Sequence, residues 1–175
     1  SLQSQWDDSV SSQVRQQWVK IFYEMMSLAS WHKRNPIPLS LNRIKTYLAI
    51  FTDSGQRAKA QVAYLIHVVD NHTRIVQFLR GKSQLSDDKS VPCAELDSLE
   101  KGVKLANKIK SDMDSIEDIY YFTDSAVILF WRINHQLGLS KYNRKRITTI
   151  LSRASVNQFF KVPTHMNPSD YPTKP

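Results

Sequence analysis

Phe122-Thr123-Asp124-Ser125 repeats, residue for residue, an earlier segment, Phe51-Thr52-Asp53-Ser54. Each copy closes a β-like run: Tyr47-Leu48-Ala49-Ile50-Phe51 before the first, Ile119-Tyr120-Tyr121-Phe122 before the second. Both runs are rich in aromatic and β-branched residues and almost continuously apolar, which is how strands buried on both faces of a sheet read. An Asp ending such a run stands at the carboxyl end of a central strand, the edge of an open α/β sheet where ligands bind. Asp-Ser also makes ordinary turns and helix caps. A cap does not require the preceding Phe-Thr, so the duplication favours two aspartates side by side at one sheet edge.

Outward from these runs the order reads β-β-β-α-β-α-α-β. Strands are expected at 46–53, 59–69 and 73–80, separated by turn signals at Ser54-Gly55 and Asp70-Asn71. Such short connections make an antiparallel meander. A polar loop, 81–91, leads to Pro92 and a helix over 93–110 with Leu99, Val103, Ala106 and Ile109 on one stripe. A fourth strand, 118–123, precedes a helix from Ser125 to about 136 that Gly138 stops. A basic helix follows over 143–154, with Ile147, Ile150, Leu151 and Ala154 as its apolar face, then a strand at 157–162 and a tail. Three antiparallel strands followed by alternating helices and strands predict an α/β fold, a five-stranded mixed sheet covered by helices.

Before the sheet, residues 7–30 read as an amphipathic helix opened by Asp7, Asp8 and Ser9. Its stripe of Val14, Trp18, Ile21, Phe22, Met25 and Ala29 reads as packing residues. Asn35-Pro36-Ile37-Pro38 forces an extended break. The organisation expected is therefore a helical connecting segment, 1–45, and an α/β domain, 46–175. If the stripe packs on nothing in this chain, a dimer through this helix is expected.

Composition bounds the function. No apolar run approaches the roughly 18 residues of a membrane span, and no signal-peptide pattern opens the chain, so no membrane association is expected. Cys93 is the only cysteine, which excludes an intrachain disulfide and a cysteine-based zinc site and fits a reducing, cytoplasmic setting. The net charge of +8 points to a polyanion such as nucleic acid. The ends at Ser1 and Pro175 read as boundaries of an excised segment.

Two further acids stand out. Glu95 lies four residues before Leu99 and so heads the apolar stripe of its helix. A carboxylate there is costly unless paired or holding a cation, although the helix dipole also favours first-turn acids. Asp97 and Glu100 fall off the stripe and read as solvated. Asp170 follows the last strand in Asn167-Pro168-Ser169-Asp170, where a turn aspartate would also be ordinary. Thus one acid ends strand one, one opens the first helix, one ends strand four and one follows strand five.

At this point the chain resembles a ribonuclease H domain, most closely that of Bel/Pao-type retrotransposon polyproteins. Phe51-Thr52-Asp53-Ser54 with Ala60 to Leu65 is similar to the family's first hairpin. Gly81-Lys82-Ser83 and Val91-Pro92-Cys93-Ala94-Glu95-Leu96 resemble its Lys-Ser loop and Pro-x-x-Glu-Leu helix start. Phe122-Thr123-Asp124-Ser125 with Val127 and Trp131 resembles its central motif. Val162-Pro163-Thr164 and Asn167-Pro168-Ser169-Asp170 resemble its closing motifs. The resemblance covers about 46–174, and the N-terminal helix looks like the segment joining such a domain to a reverse transcriptase. Departures occur at Ala94, at Phe159, and in the tail Pro172-Thr173-Lys174; none touches the four acids.

The resemblance implies that Asp53, Glu95, Asp124 and Asp170 are catalytic and hold two Mg²⁺, with Mn²⁺ able to substitute. Ions roughly 3.5–4 Å apart would clamp an in-line phosphodiester cleavage. It implies an endonuclease that cuts the RNA strand of RNA–DNA hybrids during reverse transcription, in the cytoplasm or within virus-like particles. The partners implied are the hybrid and the reverse transcriptase domain of the same polyprotein. His165, five residues before Asp170, would assist product release. Arg57, Lys82, Ser125, Lys141, Arg144, Lys145 and Arg146 are the candidate nucleic-acid contacts. His32, His67, His72 and His135 show no ligand spacing. The alternatives are a catalytically silent module of the same fold that binds nucleic acid or a partner protein, and a transposase or integrase core.

Overall fold

The two Phe-Thr-Asp-Ser copies lie on adjacent parallel strands. In the computed structural model, β1 (Lys45–Ser54) and β4 (Ile116–Thr123) pair so that Phe51 stands opposite Phe122 and Thr52 opposite Thr123. The structure describes residues 11–28, 45–55, 57–86, 90–125 and 140–173, with the backbone alone at 24–28. The helix expected from Ser125 to about 136, Gly138, and the Asn35–Pro38 break lie outside the described residues.

The chain divides into two units, Ser1–Pro38 and Leu39–Pro175. In the first, α1 (Ser12–Leu28) forms the expected helix. Its Val14, Trp18, Ile21 and Phe22 are 40%, 64%, 43% and 61% exposed. Helical periodicity places apolar residues on one face but does not supply the surface that covers it. No described helix is long and apolar enough to cross a membrane.

The second unit is built on a five-stranded sheet in the order β3-β2-β1-β4-β5. β1, β2 (Ala58–Val68) and β3 (Arg74–Leu85) form the antiparallel meander, while β4 pairs in parallel with β1 and with β5 (Phe159–Lys161). The order and pairing are those of the ribonuclease H-like fold.

Side chains along β1 alternate between two surfaces. Leu48 and Ile50 join Leu96, Leu99, Val103 and Ala106 of α2 (Val91–Asp112) in the core, together with Ile119 and Tyr121 of β4 and Ile150 of α3 (Lys141–Leu151). Tyr47 and Phe51, at the alternate positions, carry an aromatic ladder across the other face. Phe51 stacks on Phe122 at 4.8 Å between centroids and meets Tyr64 edge-on, and Tyr64 meets Phe78. The near-continuous apolar character of these strands thus serves two different surfaces.

Gly102 brings α2 down onto β1. A Cβ at that position would lie 2.5 Å from Thr52 Cγ2, so any larger residue pushes the helix away from the strand that ends in Asp53. Pro92 falls in the first turn of α2, where its missing N–H leaves no helical bond unmade.

Several boundaries differ from expectation. β3 runs on to Leu85, so Gly81, Lys82 and Ser83 pair with Val62, Gln61 and Ala60 rather than forming a loop. Here the ladder with a long neighbour outweighs polar sequence character. α3 stops at Leu151, and Ala154 is buried beyond it. The final strand shrinks to three residues behind a 3₁₀ turn, Val156–Gln158.

Candidate active site

The ladder that pairs Thr52 with Thr123 makes Asp53 and Asp124 the next position of each strand, side by side at the carboxyl end. Asp53 is held from below by α2. Ser98 Oγ donates to the Asp53 carbonyl at 2.8 Å, lies 3.1 Å from the Ala60 carbonyl, and accepts from Gln61 Nε2 at 3.0 Å. That staple joins the hairpin to the helix one turn past Glu95. Ser125 is buried, its N–H bonded to Thr123 Oγ1 at 3.2 Å.

Asp170 reaches the same edge through a buried asparagine. Asn167 Nδ2 donates to the Thr52 carbonyl at 3.1 Å, while its Oδ1 accepts from the N–H and hydroxyl of Ser169 at 3.2 and 2.6 Å. The Asp170 N–H closes the turn on the Asn167 carbonyl at 3.0 Å. A 3₁₀ turn, Tyr171–Thr173, then returns the chain to β1, where the Thr173 hydroxyl donates to Asp53 Oδ2.

Two of the acids, Asp53 and Glu95, feel the charges of the others. Burial, with the charges of Asp124 and Asp170, raises the Asp53 carboxyl above its ordinary range, against the opposing hydrogen bonds from Thr173 and the Ser54 N–H. Burial, then Asp124 and Asp53, pushes Glu95 up to about 7. Its Oε2 is buried with no hydrogen-bond partner among the described residues. A buried oxygen left this way suits a cation, and an all-carboxylate donor set suits a hard one such as Mg²⁺. Among the described residues, no three His, Cys, Asp or Glu side chains are already gathered closely enough to hold a metal ion.

A second acid on α2 behaves oppositely. Asp97 and Glu100 are not solvated as expected but 7% and 9% exposed. Asp97 Oδ2 meets Lys59 Nζ at 2.7 Å and also Lys101 Nζ, while its Oδ1 meets Arg146 at 2.8 Å. Burial pushes Asp97 up, but hydrogen bonds from Lys101 and Lys59 and the charge of Arg146 outweigh it and hold the carboxyl below its ordinary range. Glu100 pairs with Lys104 at 2.6 Å.

Arg146 is therefore no part of an exposed basic face. It is 5% exposed, donates to the Cys93 carbonyl at 2.9 Å, bonds Tyr142 Oη at 2.7 Å, and lies over the Tyr142 ring. Lys141, Arg144 and Lys145 are exposed on α3, Arg57 on the β1–β2 turn, and Lys82 on β3. His165 is exposed on a 3₁₀ turn, Thr164–Met166. His67 is buried against Thr46 Oγ1 at 3.0 Å.

A family model described as Pao retrotransposon-like RNaseH-like domain matches residues 1–125. The chain belongs to this family. The match takes in α1 as well as Asp53, Glu95 and Asp124, and ends at Ser125; Asp170 is tied to the site by the Asn167 contact instead. No curated protein matches the sequence. Among solved structures, the chain is similar to RNase H1 from the halophilic archaeon Halobacterium salinarum NRC-1, at 12% identity, 71% of this chain, 90% of that one and a TM-score of 0.45. It is similar to LC11 RNase H1 isolated from compost, at 14% identity, 73% of this chain, 91% of that one and a TM-score of 0.46. It is also similar to the foamy viral protease-reverse transcriptase, at 18% identity, 79% and 94% coverage and a TM-score of 0.38. The fold of this Pao-type domain rests on its own strand order and on the family match.

Sequence reading missed Asn167, Ser98 and Thr173. Asn167 sits inside the quoted Asn-Pro-Ser-Asp motif, so its place beside an acid was a usable signal. Thr173 lies in the stretch that departs from the family pattern, and nothing local marks it.

Proposed function

We propose that this domain is a metal-dependent endonuclease that hydrolyses the RNA strand of RNA–DNA hybrids during reverse transcription. One observation supports the reading: Asp53 ends β1 beside the end of β4, Asp170 is anchored to β1 through Asn167, and Glu95 is raised to about 7 by burial and by the charges of Asp124 and Asp53. A fold gains nothing from such repulsion unless a cation relieves it.

Asp53, Glu95, Asp124 and Asp170 would hold two Mg²⁺, or Mn²⁺ in their place. Divalent ions so bound supply Lewis-acid polarisation of a phosphoryl oxygen and a more acidic water. The residues of this chain do the rest. Asp53 at the end of β1 and Asp124 one residue past β4 would set the centre of the site, and the Asn167 anchor would bring Asp170 to it. Arg57, Lys82, Lys141, Arg144 and Lys145 would meet phosphates, giving affinity that falls with salt. His165, exposed on the turn leading to Asp170, is the candidate for assisting product release. The hybrid and the reverse transcriptase domain of the same polyprotein are the proposed partners, in the cytoplasm or within virus-like particles.

The test is cleavage of a labelled RNA–DNA hybrid with Mg²⁺ or Mn²⁺, beside duplex RNA, duplex DNA and an Asp124→Asn variant. Cutting of the RNA strand of the hybrid alone, lost in the variant, is the expected result. Hybrid bound but uncut with either metal, by a chain joined to its reverse transcriptase, would instead make this a silent binding module.

A further inference from the structure

The last described turn of the chain bridges two of the acids. It leaves from Asp170, whose carbonyl accepts the Thr173 N–H at 3.3 Å, and returns to Asp53, whose Oδ2 accepts from Thr173 Oγ1. Thr173 is 6% exposed, so its hydroxyl is fixed in place rather than rotating in water. The same Oγ1 lies 2.9 Å from the Asp170 carbonyl. The turn has a prepared seat: a Cβ at Gly55 would lie 2.7 Å from the Thr173 carbonyl oxygen, so glycine there lets the turn lie against the hairpin.

We propose that Thr173 is a positioning residue for cation binding, holding Asp53 Oδ2 in a hydrogen bond so that Oδ1 is the oxygen offered to a divalent metal. The inference rests on the metal-site reading above. Its physical basis is the rule that groups bonded to a metal-binding carboxylate orient it, and that losing one typically costs about 10–100-fold in affinity or activity. A free carboxylate among three other acids has several rotamers that reduce repulsion. The Thr173 bond selects one of them.

The experiment measures Mn²⁺ binding at pH 8 by the electron paramagnetic resonance of free Mn²⁺, for the full chain and for Thr173→Val, Thr173→Ala and Thr173→Ser. Thermal unfolding in chelator checks that each variant is folded. Val keeps the shape and removes the hydroxyl; Ser does the reverse. The expected result is binding weakened about tenfold in Val and Ala and kept within about twofold in Ser. If Val does not fold, Ala carries the comparison. Binding by Val and Ala equal to that of the unaltered chain overturns the inference and leaves the metal site standing. Ser weakened as much as Val overturns it too, since a hydroxyl kept at this position would then not be enough to hold the carboxylate. A folded, unaltered chain that binds no Mn²⁺ sinks the metal-site reading itself, and this inference with it.

Discussion

Glu95 and Asp97 stand two residues apart on the first turns of one helix, and their charges meet opposite fates. Asp97 is answered by Lys59, Lys101 and Arg146, and its carboxyl is held low. Among the described residues the charges that act on Glu95 are those of Asp124 and Asp53, and with burial they raise its carboxyl to about 7. Burial pushes both acids up, so desolvation does not separate them. What separates them is the sign of the neighbouring charges. An acid given cations by the chain is part of the framework; one set beside other acids is where the proposed function puts a cation from outside.

Asp97→Ala breaks the comparison most severely. It leaves Lys59, fully buried, without its carboxylate, a change that typically costs about 3–5 kcal/mol and is read by urea unfolding. Because the Asp97 carboxyl is held below its ordinary value of 3.8, its contribution is full above that pH and fades only as pH falls through the lowered value. The loss should therefore be as large at pH 5 as at pH 8.

Adding Mg²⁺ sharpens the other side. Stability should rise by about 1.4 kcal/mol when the ion reaches ten times its dissociation constant, and Glu95→Gln should blunt the rise; thermal unfolding against Mg²⁺ concentration measures both. In chelator, Glu95→Gln should itself stabilise the domain at pH 8 by about 1 kcal/mol, less than full linkage because the carboxyl is partly exposed. The sign follows from the raised carboxyl: the folded state tolerates the protonated form, and stability drains away as pH rises through about 7. At pH 4, below the ordinary value of 4.5, the gain should vanish. The smallest effect belongs to Lys101→Ala, which removes one of three cations, 30% exposed, and should cost under about 1 kcal/mol in the same unfolding assay.

The strands were legible in the sequence, and the four acids stood out in it, because their signals are local. Apolar runs of strand length end in Asp, and an acid heads an apolar helical stripe. Charge partnership was not legible. Asp97 reads as a surface acid until Lys59 and Arg146 are placed beside it, and Arg146 is 49 positions away. The same blindness assigned Arg146 to a basic face, since Lys141, Arg144 and Lys145 around it are exposed. The polar Gly81-Lys82-Ser83 reads as loop because propensity cannot see that β2 is long enough to pair with it. Thr173 was invisible for a simpler reason: a hydroxyl becomes informative only when its acceptor is known.

The Asn167–Thr52 bond spans 115 positions of chain, and that span sets an order of events during synthesis. The meander, α2 and β4 can form from local and middle-range contacts while the C-terminal turn is still unmade. Closing so distant a contact comes with a loop entropy that shorter contacts avoid. A nascent chain that ends short of Asn167 can hold most of the sheet, yet it lacks the anchor, Asp170 and the Thr173 turn together. The four acids thus come together only once the C-terminal turn has been made, and a product truncated before Asn167 carries the scaffold without Asp170.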